Sequence, residues 1–271
     1  MILPKRFVAF KRCIRSCYTN KQKLSSVPHN NFEHNNVGLY FRSKGVQITG
    51  IYGRNKITAQ HCAKLLECKL ISDPNRLKAD LILVAVSDDQ TAQVIDQLSL
   101  DKCIVYTAGS IELDEIKHVN TGVFYPLQNF NGAESDAFFS FPILIETKNK
   151  IITKLIDVLC THCQIKTEIC DSKKRKDYHL VAVFINNFIT HIAHLAETES
   201  KSRELNWNIL KPLIHKTTDI TLSQNILNRQ TGPASREDYS ILKKHEEMLN
   251  DNTKEVYKVL SESIIKSMKS K

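Results

Sequence analysis

Residues 79–87, ADLILVAVS, form a continuous apolar run that ends in a serine. A run without polar alternation is typical of a parallel strand that helices cover on both faces. Residues 90–98, QTAQVIDQL, follow with the spacing of a helix, and residues 102–109, KCIVYTAG, predict the next strand. A strand, a helix and a strand in this order indicate a doubly wound α/β fold with right-handed crossovers.

The same alternation extends in both directions along the chain. Upstream, the sequence predicts a strand at 46–52 and a helix at 58–67, and downstream it predicts strands at 121–127 and 141–147. After about residue 149 the pattern changes, because nearly every later segment has helical spacing. An α/β half is therefore followed by a half that is mostly helical.

Net charge and composition limit the classes of function. The 271 residues carry a net charge of +9, but residues 1–24 hold seven Lys or Arg and no acid. The other residues carry 31 basic and 29 acidic side chains, so the body is nearly neutral and a general nucleic-acid surface is not expected. No apolar run approaches the roughly 20 residues of a membrane helix, so we expect no membrane partner.

The basic segment at residues 1–24 has several interpretations. It is read here as an N-terminal extension, either disordered or the product of a wrongly chosen start codon. Its acid-free, weakly amphipathic composition also permits an organellar targeting peptide. Without a secretion signal, the eight scattered cysteines fit reduced thiols and a cytoplasmic location.

The pair Cys160 and Cys163 has the spacing of a metal or redox motif, with His162 between. A single such pair supplies two of the four ligands that a closed zinc site needs, so packing on a helix face is favoured. His191 and His194 are three residues apart, but no acidic partner completes a metal site. We therefore expect no metal-binding residues.

Several segments occur in an order that resembles one family: LVAVSDDQTAQV, YTAGSIEL, GVFYPLQNF, FPILIE, RKDYHLVAVFINNF and QTGPASREDYSILKKH. They resemble the Rossmann-like proteins that carry domain of unknown function 2520, over roughly residues 46–265. That family is distantly similar to pyrroline-5-carboxylate reductase, ketopantoate reductase and deazaflavin-dependent NADP reductases. The resemblance implies a Rossmann-like NAD(P)-binding domain at residues 25–148. It also implies a helical C-terminal domain at residues 149–271, similar to that of 6-phosphogluconate dehydrogenase.

In that family, the first strand ends in a glycine-rich turn that approaches the cofactor pyrophosphate. Counting back from residue 46 places the turn at residues 29–32, HNNF, with strand one ending at residues 25–28. His29 and Asn31 then take cofactor-binding positions, where a Cβ crowds the phosphate. Three readings stay open: a drifted loop that still binds, a protein that has lost its cofactor, or a segment 1–36 that departs from the ancestral reading frame.

Other candidate cofactor residues follow the predicted strands, where ligands bind in open α/β sheets. Arg54 suits the 2′-phosphate of NADP, whereas an NAD-specific site would hold an acid there. It is also readable as an exposed loop arginine, and Asp88 or Asp89 as a helix cap. The expected cofactor-binding residues are Gly53, Arg54, Asn55, Ser87, Asp88, Thr107 and Gly109.

The catalytic candidates lie on the helix predicted at 173–200. His179 and Asn186 are seven residues apart, so a regular helix presents them on one face. By resemblance His179 would be the acid–base group, a role that suits histidine, and Asn186 would orient the substrate. Both are also readable as structural residues. Further substrate-binding candidates are Gln128, Asn187, Thr231 and Arg236.

Two functions from different classes remain. The first is an NADP-dependent oxidoreductase that acts on a small carbonyl or imine compound by hydride transfer and works as a homodimer. The alternative is a non-catalytic ligand-sensing or interaction protein that keeps the fold after losing the phosphate turn. Retained NADPH binding distinguishes the first from the second.

Overall fold

The computed structural model describes residues 7–11, 33–130 and 141–270. Within these ranges one sheet takes the order β3-β2-β1-β4-β5-β6-β7-β8. Its strands are β1 Phe7–Lys11, β2 Ile48–Gly53, β3 Lys69–Leu70, β4 Leu81–Ala85, β5 Ile104–Tyr106, β6 Thr121–Pro126, β7 Ile143–Thr147 and β8 Thr167–Ile169. The helices are α1 Glu33–Ser43, α2 Lys56–Leu65, α3 Asp88–Asp96, α4 Lys150–Cys163, α5 Ser172–Ala182, α6 Ile189–Ser202, α7 Lys211–Thr221, α8 Tyr239–Met248 and α9 Asp251–Lys269.

The strand pairing confirms the predicted fold class. Strands β3, β2, β1, β4, β5 and β6 are parallel to their neighbours, in the order of a dinucleotide-binding sheet. Strand β7 then pairs antiparallel with β6, and β8 pairs parallel with β7. The protein is a Rossmann-like doubly wound sheet followed by a mostly helical C-terminal part.

The first strand differs from the sequence prediction. The charge pattern predicts an extension at residues 1–24, whereas the structure places Phe7–Lys11 in the middle of the sheet, between β2 and β4. Ala9 is opposite Ile51 on one side and Leu83 on the other. The prediction relied on the net charge of the segment and gave no weight to its apolar run FVAF, which is long enough for a short strand. The predicted strand end at 25–28 and the turn at 29–32 lie outside the described residues.

Alternate side chains of the central strands enter two cores, one on each face of the sheet. Leu83 and Val105 contribute to the core under α1, α2 and α4, whereas Ile82 and Val84 face the core under α3. Both faces of β4 are therefore buried, which explains its uninterrupted apolar sequence.

The chain divides into two compact units, Met1–Asn186 and Asn187–Lys271. The sequence predicts a boundary at 148/149, but β8 pairs with β7 and α4 packs on β6 and β7. Both elements therefore belong to the first unit, although their sequences have the helical and short-strand character of the second half.

The long helical stretch is interrupted by a π-helical segment, Val183–Phe188, between α5 and α6. Among the described residues, the stretch Ser172–Ser202 is the one helix long and apolar enough to cross a membrane by length and composition. The sequence contains no uninterrupted apolar run of that length, and the helix qualifies because most of its polar residues are uncharged. Later in the chain, Pro212 lies in the first turn of α7, where proline is tolerated.

Replacing Ala9 by proline tests the position of β1. We expect Ala9→Pro to lower the free energy of unfolding by at least about 2 kcal/mol, because a buried carbonyl loses its ladder donor. Lys56→Pro is the control, since it puts proline at the first helical residue of α2, where proline is tolerated. Urea denaturation of both variants measures the difference, and equal stabilities would contradict a central position for β1.

Candidate functional site

The predicted cofactor-binding residues of the described chain collect at one edge of the sheet. Because β2, β4, β5 and β6 are parallel, the segments that follow them emerge at the same edge. The residues at this edge are the predicted cofactor-binding set Gly53, Arg54, Asn55, Ser87, Asp88, Thr107 and Gly109, together with Gln128, a predicted substrate-binding residue. This is the edge at which ligands bind in open α/β sheets.

Side-chain hydrogen bonds connect these segments. Ser110 Oγ, after β5, donates to Asp88 Oδ2, after β4. Arg54 Nη2 donates to Gln90 Oε1 at 3.4 Å, which links the end of β2 to α3. The guanidinium of Arg54 is otherwise at the exposed surface, where its donors face solvent.

Two capping details differ from the sequence analysis. Asn55 is the N-cap of α2, and its Oδ1 accepts a hydrogen bond from the amide of Thr58 at 3.1 Å. Helix α3 begins at Asp88 with Ser87 as its N-cap. The Ser87 hydroxyl caps no backbone amide and instead donates to Asp89 Oδ1 at 2.5 Å. Neither Asp88 nor Asp89 caps the helix, because both carboxylates lie within its first turn. Asp88 instead binds Ser110.

Arg175 is the most deeply buried charged side chain of the site, with an exposed fraction of 0%. Its Nη1 pairs with the carboxylate of Glu146 on β7, and its Nη2 donates to the carbonyl of Ile111. Its Nε donates to the carbonyl of Gly109 at 3.2 Å, and Nη2 also donates to Ser172 Oγ at 3.2 Å. The side chain therefore joins α5 to the end of β5 and to β7.

One turn after Arg175, the side chain of His179 reaches the end of β6. Its Nδ1 lies 2.8 Å from the hydroxyl of Tyr125. The Tyr125 ring lies against Gly109, where an added Cβ would be 2.9 Å from two ring carbons. The structure therefore brings together His179 and Gly109, two residues that the sequence assigns to the site.

The side chain of Asn186 is hydrogen-bonded to the segment that follows β6. Its Oδ1 accepts a hydrogen bond from Asn129 Nδ2 at 3.2 Å. The seven-residue spacing from His179 predicts one helix face, but Asn186 lies in the π-helical segment, where a turn holds more residues than in an α-helix. Both residues nonetheless bind partners near the end of β6. Single-turn π-helical segments are frequent at functional sites.

The other candidate substrate residues belong to the second compact unit, which begins at Asn187. Thr231 and Arg236 are exposed, and Arg236 is the last residue of a short 3-10 turn, Ala234–Arg236. The hydroxyl of Ser235 donates to the carbonyl of Gly232 at 2.8 Å, and Asp238 caps α8. The substrate-binding roles of Asn187, Thr231 and Arg236 stay predictions.

The cysteine pair of α4 lies in the core. Cys160 and Cys163 are buried, and burial raises the pKa of Cys160 to about 12 and that of Cys163 to about 11. A thiol with so high a pKa is a poor ligand or nucleophile at neutral pH. In the described part of the chain, no group of three or more His, Cys, Asp or Glu side chains is placed to hold a metal ion.

Sequence reasoning missed Arg175 and Asn129 and gave Tyr125 no defined role. Arg175 lies in the run KKRK, which is typical of the solvent-exposed start of a helix. The local composition therefore does not predict that the Arg175 side chain is buried. Its spacing of four residues from His179 is the one available cue, because such residues share a helix face.

Part of the chain matches a known family of proteins. Residues 141–264 match the family model described as a domain of unknown function (DUF2520). The resemblance inferred from the sequence motifs is thereby confirmed. No curated protein matches the chain.

Three solved structures share the fold over nearly the whole chain. A "putative NADP oxidoreductase" from Bacteroides fragilis is 26% identical, with a TM-score of 0.78, and the match covers 97% of this chain and 98% of that one. An imine reductase from Myxococcus stipitatus in complex with NADP⁺ is 12% identical, with a TM-score of 0.60 and coverage of 98% and 93%. A pyrroline carboxylate reductase from Plasmodium falciparum with NADP bound is 12% identical, with a TM-score of 0.54 and coverage of 97% and 98%.

Replacing Arg175 tests its part in the site. We expect Arg175→Met to lower the free energy of unfolding by about 3–5 kcal/mol, because the variant leaves a largely buried carboxylate without its partner. Lys176→Met is the control, since it removes a neighbouring ion pair with Glu112 that is exposed and contributes less than about 1 kcal/mol. Urea denaturation measures both, and a loss for Arg175→Met no greater than the control's would contradict the assignment.

Proposed function

We propose that the protein is an NADP-dependent oxidoreductase that reduces a small carbonyl or imine compound. The observation that carries the proposal is the hydrogen bond between Tyr125 and His179, which keeps a proton-exchanging imidazole beside the end of β6. This is the ligand-binding edge of a doubly wound sheet. The similarity to a Bacteroides fragilis protein over nearly the whole chain supports the same class.

The residues at this edge fit a nicotinamide cofactor. Arg54 follows β2, where its exposed guanidinium suits the 2′-phosphate of NADP. Ser87, Asp88, Thr107 and the backbone of Gly109 would line the remainder of the cofactor. His29 and Asn31 lie outside the described residues, and their contact with the pyrophosphate stays a prediction. When bound, such a cofactor supplies the hydride.

The chain's own residues supply the proton and the orientation of the substrate. His179 would exchange a proton with the oxygen or nitrogen of the substrate, which is the usual task of a catalytic histidine. Asn186 would hold that heteroatom through its amide, and Asn129 fixes the orientation of the amide by its 3.2 Å hydrogen bond. Gln128, Asn187, Thr231 and Arg236 are the candidates for further substrate contacts.

The similarity to nicotinamide-dependent reductases favours the enzyme over the non-catalytic alternative. NADPH binding remains the measurement that distinguishes the two functions.

Titration with NADPH tests the proposed cofactor. We expect NADPH fluorescence to change on binding, and Arg54→Glu to weaken NADPH at least tenfold, because one charge-assisted contact to the 2′-phosphate is worth roughly 1.5–3 kcal/mol. NADH affinity should change much less. Arg76→Glu is the control, since it makes the same charge change near the opposite edge of the sheet. Failure of the wild-type protein to bind either nucleotide would end the case for redox activity.

We also propose that the active form is a soluble cytoplasmic homodimer. Large apolar side chains are exposed along the stretch from α5 into α6: Leu180, Val181, Phe184, Ile185, Phe188, Ile189 and Ile192. Most recur every four residues, which produces a stripe on one face. Asn186 and Asn187 interrupt the apolar surface, whereas a helix alone in lipid is apolar on all sides. A second copy would cover such a stripe with its own.

The molecular mass in solution tests the dimer. We expect light scattering to give twice the chain mass of 31.0 kDa for the wild-type protein. Ile185→Lys should shift the equilibrium toward single chains, because a charge in an apolar interface is costly to bury. Ile57→Lys, at an exposed isoleucine on α2, is the matched control and should leave the dimer intact. A wild-type protein that runs as a single chain would contradict the proposal.

A further inference from the structure

The hydrogen bond between Tyr125 and His179 assigns a task to a residue that the sequence left without one. We propose that Tyr125 is the positioning residue of His179. Its hydroxyl binds Nδ1 and leaves Nε2 as the atom that exchanges a proton with the substrate. The catalytic part of this inference rests on the proposed function, whereas the positioning part does not.

The Tyr125 ring has little freedom to move. Tyr125 lies opposite Leu144 in the antiparallel pairing of β6 with β7, and β5 pairs with β6 on the other side. The half-buried ring packs against the core beneath α3. It also occupies the space beside Gly109 that a Cβ would fill at 2.9 Å. The phenol hydroxyl is therefore a fixed point at the site edge.

The backbone that carries His179 is fixed as well. Asp171 caps α5 by accepting a hydrogen bond from the amide of Lys174 at 2.7 Å. Four residues before His179, Arg175 is buried and bound to Glu146 and to the carbonyl of Gly109. The two rings then meet edge to face, with centroids 5.9 Å apart and planes at 64°. The orientation of the imidazole is therefore fixed by Tyr125 on one side and by the backbone of α5 on the other.

A hydroxyl suits both protonation states of histidine, because it donates and accepts. It accepts from Nδ1–H when the ring is an imidazolium. When Nδ1 is bare it donates to that atom. In the proton transfer from the imidazolium, the Nε2–H bond breaks and its electron pair stays on Nε2, while Nδ1 keeps its proton and goes on donating to the hydroxyl. The proton bonds to the electron pair that the carbon–heteroatom double bond leaves on the substrate's oxygen or nitrogen when the hydride adds to carbon. Tyr125 keeps its own proton throughout and does not touch the substrate.

The first test reads the imidazole directly and needs no substrate. Protein labelled with ¹⁵N at histidine gives ring nitrogen resonances, and His179→Gln identifies those of His179. We expect Tyr125→Phe to shift the Nδ1 resonance by several ppm and to change the tautomer ratio, because the hydrogen-bond partner is gone. Tyr178→Phe, at the neighbouring position on α5, should leave both unchanged. Identical His179 resonances in Tyr125→Phe and the wild-type protein would overturn the proposal.

The second test uses NADPH oxidation with methylpyrroline, a small cyclic imine, as the probe. We expect Tyr125→Phe to lower kcat roughly 10- to 100-fold with KM little changed, because a misplaced group loses rate rather than affinity. In the His179→Gln background the same change should have no further effect. A further loss in that background would mean that Tyr125 acts on its own, which overturns the positioning role. A shift in the first test without any wild-type turnover would leave the positioning role standing and count against the proposed function.

Discussion

The buried pairing of Arg175 with Glu146 is the constraint on which the site depends. A guanidinium without exposure must satisfy its donors inside the protein, and here the acceptors come from β7 and from the chain after β5. Breaking such a pair leaves an uncompensated charge, so the helix and the sheet edge hold together as a unit. The position of His179 one turn later follows from that constraint.

The sheet explains why so many polar groups meet in one place. Parallel pairing from β3 to β6 brings the segments after β2, β4, β5 and β6 to the same edge, although they are distant in sequence. The antiparallel strand β7 then returns to provide Glu146 from the other direction. Glu146 lies opposite Val123 of β6, which in turn pairs with Tyr106 at the end of β5.

Periodicity was sufficient to predict most of the fold, because β4 is apolar on both faces and the helices keep a regular spacing. Strand β1 was not predicted, because its short apolar run lies among basic residues whose charge dominates the local pattern. The site was predictable in part. Family resemblance assigned His179 and Asn186, and the position after a predicted strand assigned Gly109; their roles stay predictions. The contacts of Arg175 and Asn129 depend on which strand ends meet α5 and the segment beyond it. Local sequence does not encode such long-range contacts.

The π-helical segment Val183–Phe188 determines what the deletion of one residue would do to this helix. A π-helical turn closes its hydrogen bond over one more residue than an α-helical turn. Removing one residue there would restore regular winding and rotate every later side chain by about 100° relative to His179. The apolar stripe of α6 would then face a different direction from that of α5. Relatives that differ by one residue in this segment would therefore differ in the surface that they offer to a second chain.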